Sequence, residues 1–279
     1  MRRRGGLVAG GVAAAGLALG ATILLWWAID ETHFPRTDAA FDQLTDTLSA
    51  IPGVTLDGSE RWVESPTFSD ARAWIGATVD ESALDAVREA ACLSPYPDDV
   101  DWALRVSTDG GNAVTLSIGE EGTGPCPLVG LDAAPLFDRL DDVVTGLALY
   151  ANVQADGRLS LLAEEDPADG VGGLLPLVAH AEDLRDAAGM DSTTAVEVGA
   201  PSLGVVVAAG EQERLSAMLS ALVDEHGVTR YFADGGPQID GVDKVQVVAP
   251  AEEHRAVEAR VRDSGLPVAD LPVRFLPSD

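Results

Sequence analysis

Lysine is all but missing from this 279-residue chain: Lys244 is the only one among 18 basic residues. Positive charge as a whole is scarce, since 46 acidic residues leave a net charge of −28. Such a surface repels phosphate backbones and anionic headgroups, which excludes nucleic acid as a partner. Cations, basic peptides and neutral polymers remain as attractors, and strong net charge by itself keeps an exposed domain dispersed. Catalytic signatures are absent too. The chain has no Gly-x-Ser-x-Gly elbow, no His-Glu-x-x-His, no phosphate loop and no dinucleotide glycine pattern. Enzymatic activity is therefore not expected, and no cofactor is implied.

Histidine and cysteine are equally sparse. His33, His180, His226 and His254 are the four histidines. The neighbouring pairs Glu225-His226 and Glu253-His254 point in different directions on a helix, so neither makes a natural dyad. The two cysteines, Cys92 and Cys126, lack a nearby histidine or third cysteine and read as a disulfide in an oxidising compartment. Closing that loop stabilises by roughly 3–4 kcal/mol on the chain-entropy model.

What the chain has in abundance is one long apolar run. Gly5 to Ile29 carries no charge; Arg2, Arg3 and Arg4 precede it, and Trp26-Trp27 followed by Asp30-Glu31 close it. At about 1.5 Å per helical residue this exceeds a hydrocarbon core of roughly 30 Å. The arginines hold the N-terminus in the cytoplasm, and the tryptophans suit the opposite headgroup layer. A cleaved signal peptide is the competing reading. Its best site, Ala18-Leu19-Gly20, would leave Ile23 to Trp27 at a new N-terminus, which disfavours it. The reading is a single-pass signal-anchor in the cell membrane with an extracytoplasmic C-terminal part. Gly6-x-x-x-Gly10 and Gly16-x-x-x-Gly20 offer a route to a homodimer through the span.

Beyond the span, 46 acidic residues face 15 basic ones, a net charge of −31. An apolar fraction of 46% still suffices for a packed core, so this part is not a disordered acidic tail. A helix–strand–strand rhythm recurs along it. Phe41, Leu44, Leu48 and Ile51 share a helix face before Gly53; Leu215, Met218, Leu219 and Leu222 share another before Gly227. Further helices are expected at about 81–92, 134–146 and 173–188, and another from Val257 and Val261 before Gly265. Asp109-Gly110-Gly111-Asn112 and Asp156-Gly157 are hairpin chemistry, and Asp234-Gly235-Gly236-Pro237 reads as a longer hairpin loop.

Segments 113–198 and 203–276 read β-α-β-β-α-β, the split-βαβ order. The expected fold is therefore α+β: an N-terminal transmembrane helix, then an ectodomain of two to three ferredoxin-like modules with repeated helix–strand–strand units. The division is a cytoplasmic tail at 1–4, the anchor at 5–29, a juxtamembrane stretch at 30–36, and modules at 37–121, 122–200 and 201–279. The second module includes a linker marked by Gly122, Gly124, Pro125, Pro127 and Gly130. In element order alone the unit resembles envelope repeats such as BON modules; the glycine and valine pattern of that family is not matched, so no family follows.

Two acidic loops are candidate calcium sites: Asp98, Asp99 and Asp101, and Glu164, Glu165, Asp166 and Asp169. Hard cations take several oxygens from such loops, although neither has the EF-hand spacing. Gly170-Val171-Gly172-Gly173 opens a helix, but the carboxylates before it oppose an anion. Trp62, Trp74 and Trp102 alternate into strands and are expected in the core; a sugar-stacking platform would need them on one exposed sheet face. The functional expectation is a membrane-anchored, acidic, non-enzymatic envelope module that binds, scaffolds or senses an envelope protein or polymer. Its alternatives are a metal-assisted envelope hydrolase and a calcium-stabilised structural ectodomain.

Overall fold

The computed structural model describes residues 33–64, 71–119, 124–127, 130–233 and 241–277. Twelve strands form one mixed sheet, and their spatial order is their order in the chain. They are β1 His33–Pro35, β2 Val54–Glu64, β3 Ala71–Asp80, β4 Asp101–Ser107, β5 Ala113–Ile118, β6 Ala148–Val153, β7 Leu159–Ala163, β8 Val196–Gly199, β9 Leu203–Val207, β10 Arg230–Ala233, β11 Val245–Val248 and β12 Val273–Phe275. Seven α-helices accompany them among the described residues: α1 Ala39–Ser49, α2 Leu84–Cys92, α3 Ala133–Val143, α4 Val171–Ala179, α5 Ala181–Ala187, α6 Gln212–His226 and α7 His254–Arg262.

Local chemistry sets the helix ends. Asp38 caps α1 by accepting from the amides of Ala40 and Phe41 at 2.9 and 3.1 Å. Gly227, at φ 61°, turns the chain out of α6 so that the Val228 amide reaches the Leu222 carbonyl at 3.0 Å. Each helix buries a narrow apolar stripe, such as Phe41, Leu44 and Leu48 in α1 or Leu136, Phe137 and Leu140 in α3.

Pairing alternates strictly from β2 onward. Hairpins make β2–β3, β4–β5, β6–β7, β8–β9 and β10–β11 antiparallel. Helical crossovers make β3–β4, β5–β6, β7–β8, β9–β10 and β11–β12 parallel. Register then fixes the faces. Ile75, Trp102 and Ile118 share one face, as do Val114 with Leu149, Leu161 with Val198, and Val247 with Phe275. The inward strand residues and the helix stripes form a single apolar cluster. All seven helices therefore lie on one side of the sheet.

This topology overturns the expected ferredoxin-like modules. Both arrangements satisfy the order β-α-β-β-α-β. In a ferredoxin-like module the second crossover reverses its lateral direction, which keeps both helices on one face with one hand. Here the chain advances in one lateral direction while strand direction flips after each hairpin. With the helices on one face, successive crossovers must alternate in hand: β3–β4, β7–β8 and β11–β12 share one, and β5–β6 and β9–β10 the other. The general preference, right-handed in about 98% of crossovers, favours the module reading and is not followed. The sheet also runs unbroken past residues 122 and 200, since β5 pairs with β6 and β8 with β9.

Among the described residues no helix is long and apolar enough to cross a membrane. The expected transmembrane helix is thus no part of the described fold, which is a large mixed sheet with helices on one face. Residues 5–29, with Arg2, Arg3, Arg4, Trp26 and Trp27, lie outside the described residues, as do Gly122 and the turn 234–237. Cys92 at the end of α2 is bonded to Cys126, which ties the connection after β5 to the first helices of the sheet.

Candidate functional site

The second face of the sheet carries no helix among the described residues. Across it, lateral neighbours run Gly58, Gly76, Ala103 and Ser117, a row of small side chains crossing four strands. Asn152 and Ser160 are paired on the next two strands. A second row runs Thr78, Arg105, Thr115, Tyr150 and Leu162. Four large apolar side chains are exposed among the described residues, and two of them, Trp74 and Tyr150, stand on this face.

Trp74 is held flat by what lies beneath it. A Cβ at Gly76 would sit 2.6 Å from its Cζ2, and one at Gly58 would sit 3.0 Å from its Cζ3. Only glycine on two adjacent strands lets the indole lie against the backbone with its other side to solvent. Beside it, a cleft of about 440 Å³ opens at the strand ends, lined by Trp74, Asp101, Trp102, Ala103, Ser117 and Asn152 together with Gly119 and Gly130. Two polar atoms in its lining residues, Trp102 Nε1 and Asn152 Oδ1, are closed to water and have no hydrogen-bond partner among the described residues. The two atoms belong to opposite faces, Trp102 with Ile75 and Ile118 on the covered one and Asn152 with Ser160 on the bare one, two strands away.

The tryptophans divide between the faces. Trp102 is in the core, 3% exposed. Trp62, paired with Arg72, shares the bare face with Trp74. Sequence alternation places all three tryptophans in the core; that holds for Trp102, while Trp62 and Trp74 take the other face, and nothing in the sequence marks Asn152, Ser117 or Tyr150.

The candidate calcium residues do not converge. Asp98 pairs with Arg61 at 3.0 Å, where Tyr96 also accepts from the guanidinium. Burial pushes the Tyr96 phenol up, and Asp98 with Tyr96 hold the Arg61 guanidinium above its ordinary value against its own desolvation. Asp99 accepts from the Gly124 amide at 2.7 Å, while Asp101 borders the bare-face cleft. Glu164 pairs with Arg105 at 2.6 Å, Asp166 accepts from the Ser202 amide at 2.9 Å, and Glu165 and Asp169 are exposed. Among the described residues no group of three or more such side chains is placed to hold a metal ion.

Three other cavities lie elsewhere among the described residues, the smallest, about 400 Å³, beside Gly227, Pro250 and His254. One of about 520 Å³ sits at the ends of β9 and β10, with an apolar floor including Val206, Leu215, Leu266 and Leu271 and a rim of Asp156, Arg158, Glu211, Asp243 and Lys244. Arg158 there is already paired with Asp156 at 2.7 Å. Another, about 610 Å³, separates α2 from the start of α3 above Leu104. Glu81 on its rim is pushed up by burial and by the carboxylates of Asp109, Asp138 and Asp141. Asp141 itself is engaged by the Thr108 hydroxyl, the Gly110 amide and the Asn112 amide group.

Three of the four histidines sit at helix ends, and His33 opens β1. His226 Nδ1 meets Glu253 at 2.8 Å, a partner 27 residues away that sequence adjacency could not reveal. His180 meets Asp183 at 3.1 Å, and together with Arg139 it pulls the Asp183 carboxyl down. His254 stacks on Phe275 with ring centroids 3.7 Å apart. None of the three lines the bare-face cleft or the cavity at the ends of β9 and β10. Comparison of the chain with family models, curated proteins and solved structures finds no match.

Proposed function

We propose that this protein is a non-enzymatic binding module of the cell envelope, held outside the membrane by its N-terminal apolar run, with the bare sheet face as its contact surface. The carrying observation is the asymmetry of the sheet. One face is sealed by seven helices, and the other leaves Trp74 at 36% and Tyr150 at 42% exposure among small side chains. Trp74 and Tyr150 stand three strands apart on this face, and tryptophan and tyrosine are the residues enriched at interaction surfaces. The extracytoplasmic placement rests on the charge-free run 5–29 behind three arginines and on the Cys92–Cys126 disulfide. Net negative charge favours a neutral or cationic partner among envelope polymers and proteins.

Footprinting with a membrane-impermeant radical probe tests this reading, comparing intact cells that express the full chain with the same chain purified. The expected result is labelling of Leu93, 76% exposed at the end of α2, in both states. Trp74 and Tyr150 are expected to be protected on cells alone. Equal labelling of all three in both states would remove the bare face as the contact surface. No labelling on intact cells would remove the extracytoplasmic placement.

A further inference from the structure

We propose that the partner of the bare face is a second copy of this chain, two anchored molecules packing sheet against sheet, an inference that rests on the bare face being the contact surface. Charge leads there first. The row that passes Thr78 and Leu162 continues in register through Gly199 and Gly204 to Phe232, Gln246 and Arg274. It crosses every strand from β3 to β12, and its charged members are Arg105 and Arg274. Carboxylates reach it as Asp57, which accepts from the Thr78 hydroxyl at 2.9 Å, and as Glu164, paired with Arg105. In the adjoining row Glu197 accepts from the Ser160 hydroxyl at 3.2 Å. Positive and negative charges therefore nearly balance along this stretch.

The acidic excess lies on the helix side, where α3 alone sets Asp138, Asp141 and Asp142 against Arg139. A strongly cationic partner is drawn to the helices, and an anionic one is repelled by the net charge of −28. Two copies repel wherever their helix sides meet, and their bare faces are where they can touch.

Area is the second support. At about 4.8 Å per strand the row is about 50 Å long, and strands of about five residues add about 17 Å of height. The face thus offers about 800 Å² per copy, the share of each partner in a standard stable interface. Gly76, Ala103 and Ser117 are small enough to admit a facing sheet at the usual spacing of about 10 Å. A single polymer strand covers one strip, whereas a second sheet covers both Trp74 and Tyr150, which stand on different rows.

The third support is the tether. Only residues 30–32 separate the apolar run 5–29 from β1. Two copies held at β1 in one membrane can meet about a two-fold axis along the membrane normal, with both anchors on the same side. Anchoring raises their effective concentration, while dilute purified chains are kept apart by their charge.

The test is cross-linking on intact cells that express the full chain, using a short bismaleimide. Leu162 lies near the middle of the row, where a residue close to the two-fold axis meets its own copy. Cys92 and Cys126 are bonded to each other and offer no thiol. Leu162→Cys should give a covalent dimer, about tenfold more than Leu93→Cys, whose position at the end of α2 is 76% exposed. Adding Tyr150→Glu, which sets two carboxylates against each other, should lower that dimer about tenfold at an unchanged melting temperature. Association of the purified chain should rise with salt, because screening weakens the repulsion.

Equal cross-linking from both cysteines would reduce the dimer to random collision and overturn the proposal, as would association that falls with salt. Monomer alone, on cells where Trp74 is still protected, would give the face to a different molecule and overturn the second copy while leaving the contact surface standing. Monomer alone with Trp74 labelled on cells would remove both.

Discussion

The two faces of the sheet are made by the same strands, alternate residue by alternate residue, and they obey different rules. In β5, Val114, Leu116 and Ile118 point under the helices and are almost wholly buried; Ala113, Thr115 and Ser117 point the other way. The covered face is continuous, dry and apolar from Phe41 to Leu266. The bare face alternates small residues with separate ion pairs, among them Arg105–Glu164. One face holds the fold together by area removed from water. The other contributes little to stability, and that frees its aromatics to remain exposed. Substitutions on the two faces should therefore separate cleanly.

The largest effect is expected on the covered face. Leu116→Ala, at a fully buried central-strand position, should cost about 2–5 kcal/mol in denaturant unfolding, from lost transfer energy plus the cavity left behind. Next comes Asn112→Ala. Its amide group donates to Asp141 at 2.7 Å and to the Val144 carbonyl at 2.8 Å, and its oxygen accepts from the Leu147 amide at 2.9 Å. Losing this link between the β4–β5 hairpin and the end of α3 strands the buried Val144 carbonyl and the half-buried Leu147 amide, while Asp141 keeps Thr108 and Gly110, and about 1–3 kcal/mol is expected. Tyr150→Ser on the bare face should change stability by less than about 0.5 kcal/mol, with an unchanged denaturant slope. A cost comparable to that of Leu116→Ala would show the bare face to be covered after all.

The smallest effect depends on pH. The Glu81 carboxyl is raised by burial and by neighbouring Asp109, Asp138 and Asp141. A raised acid binds its proton more tightly in the folded state, so its stabilising contribution is complete below the ordinary glutamate range and is lost as pH rises through the folded value. Glu81→Gln should be slightly more stable than the parent at neutral pH, and the difference should vanish in acid. Melting curves at pH 4 and pH 7 check the sign.

Much of the local structure was legible because it depends on neighbours in sequence. The stripe Phe41, Leu44 and Leu48 before Gly53 is a helix and its stop, and Asp109 to Asn112 turns a hairpin. Strand adjacency was not legible. Leu149 next to Val114 and Leu161 next to Val198 are decided by which way each crossover turns, and the sequence writes β-α-β-β-α-β for either outcome. The usual preference of crossover hand pointed to the wrong one. The candidate site was hidden for the same reason. Trp74, Ser117 and Asn152 come from strands up to 78 residues apart and meet only once the sheet order is known. The acidic loops, conspicuous in the sequence, are occupied instead by Arg61, Arg105 and backbone amides.

Sheet order is therefore the claim on which both faces depend, and a cysteine cross-link reads it directly. Thr115 and Tyr150 are lateral neighbours on β5 and β6, on the bare face. Adjacent strands lie about 4.8 Å apart, within disulfide reach, whereas strands separated by a third lie about 10 Å apart and out of reach. Thr115→Cys with Tyr150→Cys should form a disulfide under mild oxidation, mapped by mass spectrometry apart from Cys92–Cys126. Thr115→Cys with Leu162→Cys, two strands apart, should not. A ferredoxin-like order puts β7 between β5 and β6, so the reverse pattern, with Thr115 linking to Leu162 and not to Tyr150, would contradict the continuous sheet.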